Sequence, residues 1–217
     1  METLTRLSVN PKWLIYLPPT MSPAETSALA DYLEHPTEAL AYYSNRGIKN
    51  VICEEKHMGS RVVVVICKDQ QTVINRFGIT DGSIGICYTR TGRNFFKDKD
   101  LEVSFLTRVR EGLSKSGFWE KFDTDWVCLD AELLPWSAKA QMLLKNQYAA
   151  VGTSGSHAMK SVLSYLSDAE SRSLNGITQL KDNFAAREVY LQKYIKAYQQ
   201  YCWPVSSLDD YQLAPFH

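Results

Sequence analysis

The chain reads as an α+β protein, with an antiparallel β-sheet core in residues 1–136 and an α-helical module appended over 137–217. Three observations carry this reading. Residues 62–66 are Val-Val-Val-Val-Ile, an unbroken β-branched run that suits a strand covered on both faces. Residues 126–136 read as a second buried strand, and it carries two carboxylates. Beyond Ser137 the apolar residues switch to spacings of three, four and seven, the period of helices packed along one stripe. With 217 residues, 45% of them hydrophobic, the chain is long enough for one good core and a smaller satellite.

Taken in order, residues 13–17 are expected to form a short apolar strand closed by Pro18 and Pro19. Ser22-Pro23-Ala24-Glu25 has the form of a capping box with proline at the first helical position, which predicts a helix to about Glu34. Pro36 opens a second short helix ending near Gly47. After the valine strand, residues 72–77 alternate and 84–88 form another β-type run, with Asp81-Gly82 as a hairpin signal between them. The expectation is an antiparallel meander. Asp100 should cap a helix to about Ser116 with Leu101, Phe105, Val109 and Leu113 on one stripe, and Gly117 should stop it. Residues 137–148 read as helical and 152–157 as a flexible linker. Met159, Val162, Leu163 and Leu166 mark one further helix. A longer one runs from Leu180 to about Cys202, its stripe being Phe184, Leu191, Ile195, Tyr198 and Cys202.

The residues that carry chemistry sit beside the first strand. Cys53-Glu54-Glu55-Lys56-His57-Met58-Gly59-Ser60-Arg61 runs directly into the valines, so Lys56 is held at the edge of a rigid core. Gly59 permits a sharp turn and a close approach, because it has no Cβ. Lys-x-x-Gly alone arises by chance on the order of once in a chain this long, whereas adding Ser60 and Arg61 lowers that to a few per thousand chains. From Gly82 to Lys97 there is no acidic residue, so Arg90, Arg93 and Lys97 form an unopposed basic strip beside Phe95 and Phe96. Arginine forks suit phosphate and rings can stack bases; the alternative is a solvated hairpin end whose phenylalanines belong to the core. Were Glu132 to face the core unpaired it would be costly, so a cation, a hydroxyl or a metal should sit opposite it; the alternative is an ordinary salt-bridge partner.

The string Lys-His-Met-Gly-Ser-Arg after Glu-Glu resembles motif I of the covalent nucleotidyltransferases, the lysine signature of ATP-dependent ligases and RNA capping enzymes. Within that superfamily it is similar to the ligase (adenylyltransferase) domain of the bacterial polynucleotide kinase-phosphatase-ligase that repairs cleaved RNA. Asn10-Pro11-Lys12 through Ser22-Pro23 resembles the start of that domain, and Thr89-Arg90-Thr91-Gly92 its phosphate-contacting motif Ia. Leu129-Asp130-Ala131-Glu132-Leu133 is similar to motif III, and Pro135-Trp136-Ser137-Ala138-Lys139-Ala140 follows it as in the bacterial RNA-repair branch. The resemblance covers essentially the whole chain. It implies a nucleotidyltransferase (ATP-grasp-like ligase) core and ATP with Mg²⁺ or Mn²⁺ as cofactors.

By the same resemblance Lys56 is the covalent catalytic residue, and Glu55, Ser60, Arg61, Arg90, Arg93 and Glu132 bind the nucleotide. An ordinary lysine is neutral in only about one molecule in a thousand at neutral pH, so the reaction needs desolvation or nearby positive charge; strand burial, Arg61 and the bound metal are the expected sources. The implied partners are RNA with broken ends, the kinase and phosphatase domains of the same polypeptide and a 3′-terminal RNA ribose 2′-O-methyltransferase, with a homo-oligomer also open.

Two family elements are not found: the Glu-Gly-x-x-x-Lys of motif IV and the lysine-bearing strand of motif V. Arg110-Glu111-Gly112-Leu113-Ser114-Lys115 lies before motif III, in the wrong order, and 213–217 carries no closing-strand signal. In the family the absent lysines contact the triphosphate and its metal, so a fragment, an unseen remainder or a second chain would have to complete the site. Two further readings stand beside the ligase: a GTP-using capping-type guanylyltransferase, and a non-catalytic fragment that binds a partner through its helices. Lys, Arg and acidic residues balance at 24 against 24, so no global charge advertises nucleic acid. No signal peptide or membrane span is legible, and five scattered cysteines read as reduced, buried thiols of a cytoplasmic protein.

Overall fold

A computed structural model describes residues 9–17 and 25–216. Its centre is a four-stranded antiparallel sheet in the order β2-β1-β3-β4. The strands are β1 (Ser60–Cys67), β2 (Gly85–Tyr88), β3 (Trp126–Leu134) and β4 (Gln212–Pro215). Val62 to Cys67 are all buried, so the valine run sits in the middle of the sheet with both faces covered, as its spelling requires. Val62, Val64 and Ile66 pack with Phe95, Phe96, Phe105, Leu106 and Trp119. Val63, Val65 and Cys67 pack on the other face with Val9, Trp13, Val73 and Tyr88.

Among the described residues the longer helices are α1 (Pro36–Asn45), α2 (Gln70–Phe77), α3 (Lys99–Lys115), α4 (Ala150–Ser171) and α5 (Ile177–Gln199). Helix α3 covers the first face, and its expected stripe of Leu101, Phe105, Val109 and Leu113 does pack there. Its cap is Asp98, whose carboxylate accepts the Asp100 and Leu101 N–H groups, two residues earlier than expected. Gly117 terminates it at φ 68°.

Several expected elements take other forms. Residues 13–17 are not a strand: a 3₁₀ turn at Pro11–Trp13 leads into an irregular segment whose Ile15 N–H donates to the Tyr88 hydroxyl at 3.2 Å. The start of the helix expected over 22–34 lies outside the described residues, and 25–34 are turns and bends. There the Glu38 carboxylate takes the Ala28 N–H, tying the segment to α1 instead of continuing a helix. Residues 72–77 alternate in sequence yet belong to α2. Asp69 caps that helix by accepting from the Thr72 N–H at 2.7 Å, and Gly78 closes it in the left-handed region. Capping outweighs the weak alternation. The connection from β1 to β2 is therefore a helix, although the two strands remain antiparallel.

The expected linker at 152–157 is the interior of α4. Gly152 and Gly155 are helical because α5 presses against them: a Cβ at Gly152 would lie 3.0 Å from Ile195 Cγ1, and one at Gly155 would lie 3.0 Å from Leu191 Cδ2. A π-helical turn at Leu144–Ala149 leads into α4. Contrary to the expectation that 213–217 carries no closing strand, the chain returns to the sheet as β4, pairing Leu133 with Leu213 and Leu134 with Gln212. Pro215 stands on the edge strand, where its missing donor costs little. Among the cysteines Cys67 and Cys87 are buried, but Cys53 is exposed. No helix among the described residues is long and apolar enough to cross a membrane.

Candidate active site

Strands β1 and β3 bring the charged residues together. Their register sets Arg61 opposite Glu132 and Val63 opposite Asp130. Side chains alternate along a strand, so Arg61, Asp130 and Glu132 share the sheet face that carries Val63 and Val65. Asp130 is 1% exposed, and its carboxylate forks the Arg61 guanidinium: Oδ1 accepts from Nε at 2.8 Å and Oδ2 from Nη2. This bidentate geometry is the strong form of the pair. The bond to Asp130 raises the Arg61 pKa further despite partial burial, so the guanidinium is held as a fixed charge. It lies 5.7 Å from the Phe216 ring, and the Phe216 N–H donates to the Asp130 carbonyl at 3.0 Å.

Glu132 is half-buried and has no full ion pair. Burial raises its pKa, and Arg61, the Gly59 N–H and Lys56 pull it back down. The cation expected opposite it is Arg61, although that fork is committed to Asp130. Gly59 is seated against β3: a Cβ there would meet Leu133 O at 2.7 Å and Glu132 Oε2 at 3.2 Å. Any larger residue would push the Lys56 segment off the strand.

Lys56 itself stands in an irregular stretch, 51–59, and is exposed. The expected shielding by the valine strand does not reach it, because that strand begins at Ser60 and buries only from Val62. Ser60 is half-buried at the strand's first position. Glu55 is exposed, with His57 Nδ1 3.9 Å from its carboxylate. The structure thus brings Gly59, Arg61, Asp130 and Glu132 together with Lys56 in electrostatic reach, and it does not bring Glu55 into that cluster.

The basic turn follows β2. Val63 pairs with Tyr88, so the chain beyond Tyr88 emerges at the same end of the sheet as Arg61. Gly92, at φ 75°, closes a tight turn in which the Thr89 N–H donates to Arg93 O at 2.8 Å. Arg90, Arg93 and Lys97 are exposed. Phe95 and Phe96 are 7% exposed each and belong to the core, so they are not free to stack on bases. Among the described residues no group of three or more His, Cys, Asp or Glu side chains could hold a metal ion. The protein's own donors do not build a Mg²⁺ or Mn²⁺ site there, with Asp130 already committed to Arg61.

Asp130 is the residue that motif reading left without a role. Its signal was available: it is two residues from Glu132 on a strand, hence on the same face.

A mixed fold of helices with an antiparallel four-stranded sheet, carrying a lysine segment at the entrance to one central strand and a carboxylate on the next, defines a nucleotidyltransferase-type ligase fold. The family model described as "PNKP adenylyltransferase domain, ligase domain" matches residues 1–217, and the chain belongs to that family. Among solved structures, a chain in a structure titled "Structure of Pnkp1/Rnl/Hen1 complex" is similar with a TM-score of 0.55 and 16% identity, over 92% of this chain. This chain spans 54% of that one, about half its length. Comparison with curated proteins gives no significant match.

Proposed function

We propose that the chain is the adenylyl-accepting part of an ATP-dependent RNA ligase for broken RNA ends, with residues 1–136 as its nucleotidyltransferase core and 137–217 chiefly a helical module that returns one strand to the sheet. The observation that carries this is the conjunction of the Gly59 seat, the Arg61–Asp130 fork and the half-buried Glu132 at one sheet end, with Lys56 beside them.

In this mechanism the Lys56 ammonium gives a proton to solvent, and its neutral Nζ attacks the α-phosphorus of ATP, shedding a second proton to solvent as the phosphoramidate forms. A nitrogen–phosphorus bond forms as the bond to pyrophosphate breaks. Because Lys56 is exposed in the structure, the bound nucleotide itself supplies the desolvation. Arg61, locked as a cation by Asp130, faces the negative charge that develops on the α-phosphoryl oxygens without having to reorganise. Glu132 accepts from the ribose hydroxyls, and Ser60 and Glu55 border the nucleotide. Arg90 and Arg93 contact the ATP phosphates or the 5′-phosphate of the RNA. AMP then passes to that 5′-phosphate, and a 3′-hydroxyl displaces it to seal the strand.

Mg²⁺ or Mn²⁺ would neutralise charge on the triphosphate when bound. The setting is a cytoplasmic RNA-repair assembly with kinase and phosphatase domains and an RNA ribose methyltransferase, in keeping with the complex in which the similar structure was solved.

Incubation with ATP or GTP labelled on the α-phosphate tests the reading. Label on Lys56 from ATP supports it, and label from GTP alone would replace it with a capping-type guanylyltransferase. A non-catalytic, partner-binding fragment predicts that Lys56→Ala leaves every activity of the assembly unchanged.

A further inference from the structure

The charge of this neutral chain is segregated. Stretches 133–167 and 189–208 contain no Asp or Glu, yet they hold Lys139, Lys145, Lys160, Lys193 and Lys196. The fold brings these two stretches together. Helices α4 and α5 are antiparallel, because Gly152 meets Ile195 and Gly155 meets Leu191 while Glu170 pairs with Lys181 at 2.6 Å. The acid-free half of each helix therefore lies at the sheet-proximal base of the hairpin, where Trp136 N–H donates to Tyr201 O at 2.9 Å. The acidic residues Asp168, Glu170 and Asp182 fall at the opposite, turn end.

Between the helices at this base lies a groove of about 240 Å³. Thr153, Ser156, His157 and Lys160 line it from α4, with Tyr198 and Gln199 from α5. The α4 residues recur at spacings of three, one and three, which puts them on one helix face. Each of the six side chains has a hydrogen to donate, and no carboxylate borders the groove, so its chemistry suits an anion rather than a cation. Tyr198, which lines the groove, belongs to a ring cluster at the base of the hairpin: Tyr148 meets it at 5.9 Å and stacks on Tyr194 at 6.1 Å between ring centroids. An acid-free basic surface with tyrosine rings beside it is the arrangement that follows single-stranded nucleic acid, phosphates on the cations and bases on the rings.

We infer that the base of the α4–α5 hairpin is a second RNA-binding surface, separate from the Lys56 site, and that it holds a backbone phosphate of a single-stranded segment between Lys160, His157 and Tyr198. The inference rests on the ligase reading only for the identity of the strand, which is the RNA being sealed.

The test is fluorescence anisotropy with a 5′-phosphorylated single-stranded RNA at about 50 to about 200 mM salt, with Lys56 labelling by ATP followed in parallel. Lys160→Ala combined with Lys196→Ala should weaken binding roughly tenfold and lower the salt slope by about 1.4, at about 0.7 per single-strand phosphate contact. Lys181→Ala, which removes the partner of Glu170 at the far end, should change neither. ATP labelling should be equal in all three proteins. Unchanged affinity and slope in the double variant would overturn the inference, as would displacement of the RNA by inorganic phosphate or ATP at matched phosphate concentration. Absence of ATP labelling in the unaltered protein would instead count against the ligase reading and leave the binding result standing.

Discussion

Replacing Asp130 by leucine probes the hinge of the site. The Asp130 side chain is 2% exposed and that of Arg61 is 23% exposed. Removing one partner of a buried pair generally costs about 3–5 kcal/mol, because a charge is left without compensation. Here Arg61 retains partial access to water, so the expected loss falls somewhat below that range, at about 2–3 kcal/mol. For a chain of this size each kcal/mol moves Tm by about 2–4 °C, so the melting temperature should fall by roughly 5–10 °C. Thermal denaturation followed by circular dichroism reads this directly. Adding Arg61→Met to Asp130→Leu should restore most of the loss, since an apolar pair carries no desolvation debt, while Lys56 adenylylation stays abolished. A loss under about 1 kcal/mol in the single variant, or a double variant no more stable than the single, would refute the idea that the fork is a buried, mutually dependent pair.

Three further outcomes follow from the geometry. Glu132→Gln should stabilise the protein at neutral pH while abolishing adenylylation. With its folded pKa raised by burial, the carboxylate opposes folding above that pKa, and the gain should vanish as pH falls below the ordinary glutamate value of about 4.3; melting curves across that range check the sign. Gly59→Ala should cost about 1–3 kcal/mol and suppress labelling of Lys56, because its Cβ would press on Leu133 O. With a thiol reagent under native conditions, Cys53 should react promptly. Cys67, buried and pushed up to about 12, and Cys87, also raised by burial, should react only on unfolding.

The parts of the fold legible in the sequence are those where one physical pattern acts alone. The consecutive valines of β1, the run of β3 and the stripe of α3 each admit one solution, because burying those side chains leaves no other face to use. The misread parts are those where two local signals compete. Residues 72–77 alternate like a strand, but Asp69 and Gly78 supply a cap at each end and the helix prevails. Gly152 and Gly155 read as a linker because flexibility and close packing call for the same residue, and only the approach of Ile195 and Leu191 tells them apart. β4 was illegible because a short edge strand acquires its stability from β3 rather than from its own composition.

At the site, motif spelling named Arg61 and Glu132 but not Asp130, the partner that orients Arg61. Lys56 was expected at the edge of the rigid core with strand burial to desolvate it, and it stands in solvent, since spacing along the chain does not report where an irregular segment leads. Phe95 and Phe96 could have stacked on bases or filled the core, and hydrophobicity suits both uses.

The most direct measurement is peptide mapping by mass spectrometry of the full assembly after incubation with ATP and a divalent ion. The account predicts one adenylyl group on the peptide containing Lys56, lost in Lys56→Ala. An assembly that seals RNA while that peptide stays unmodified and the label resides on another side chain would contradict it.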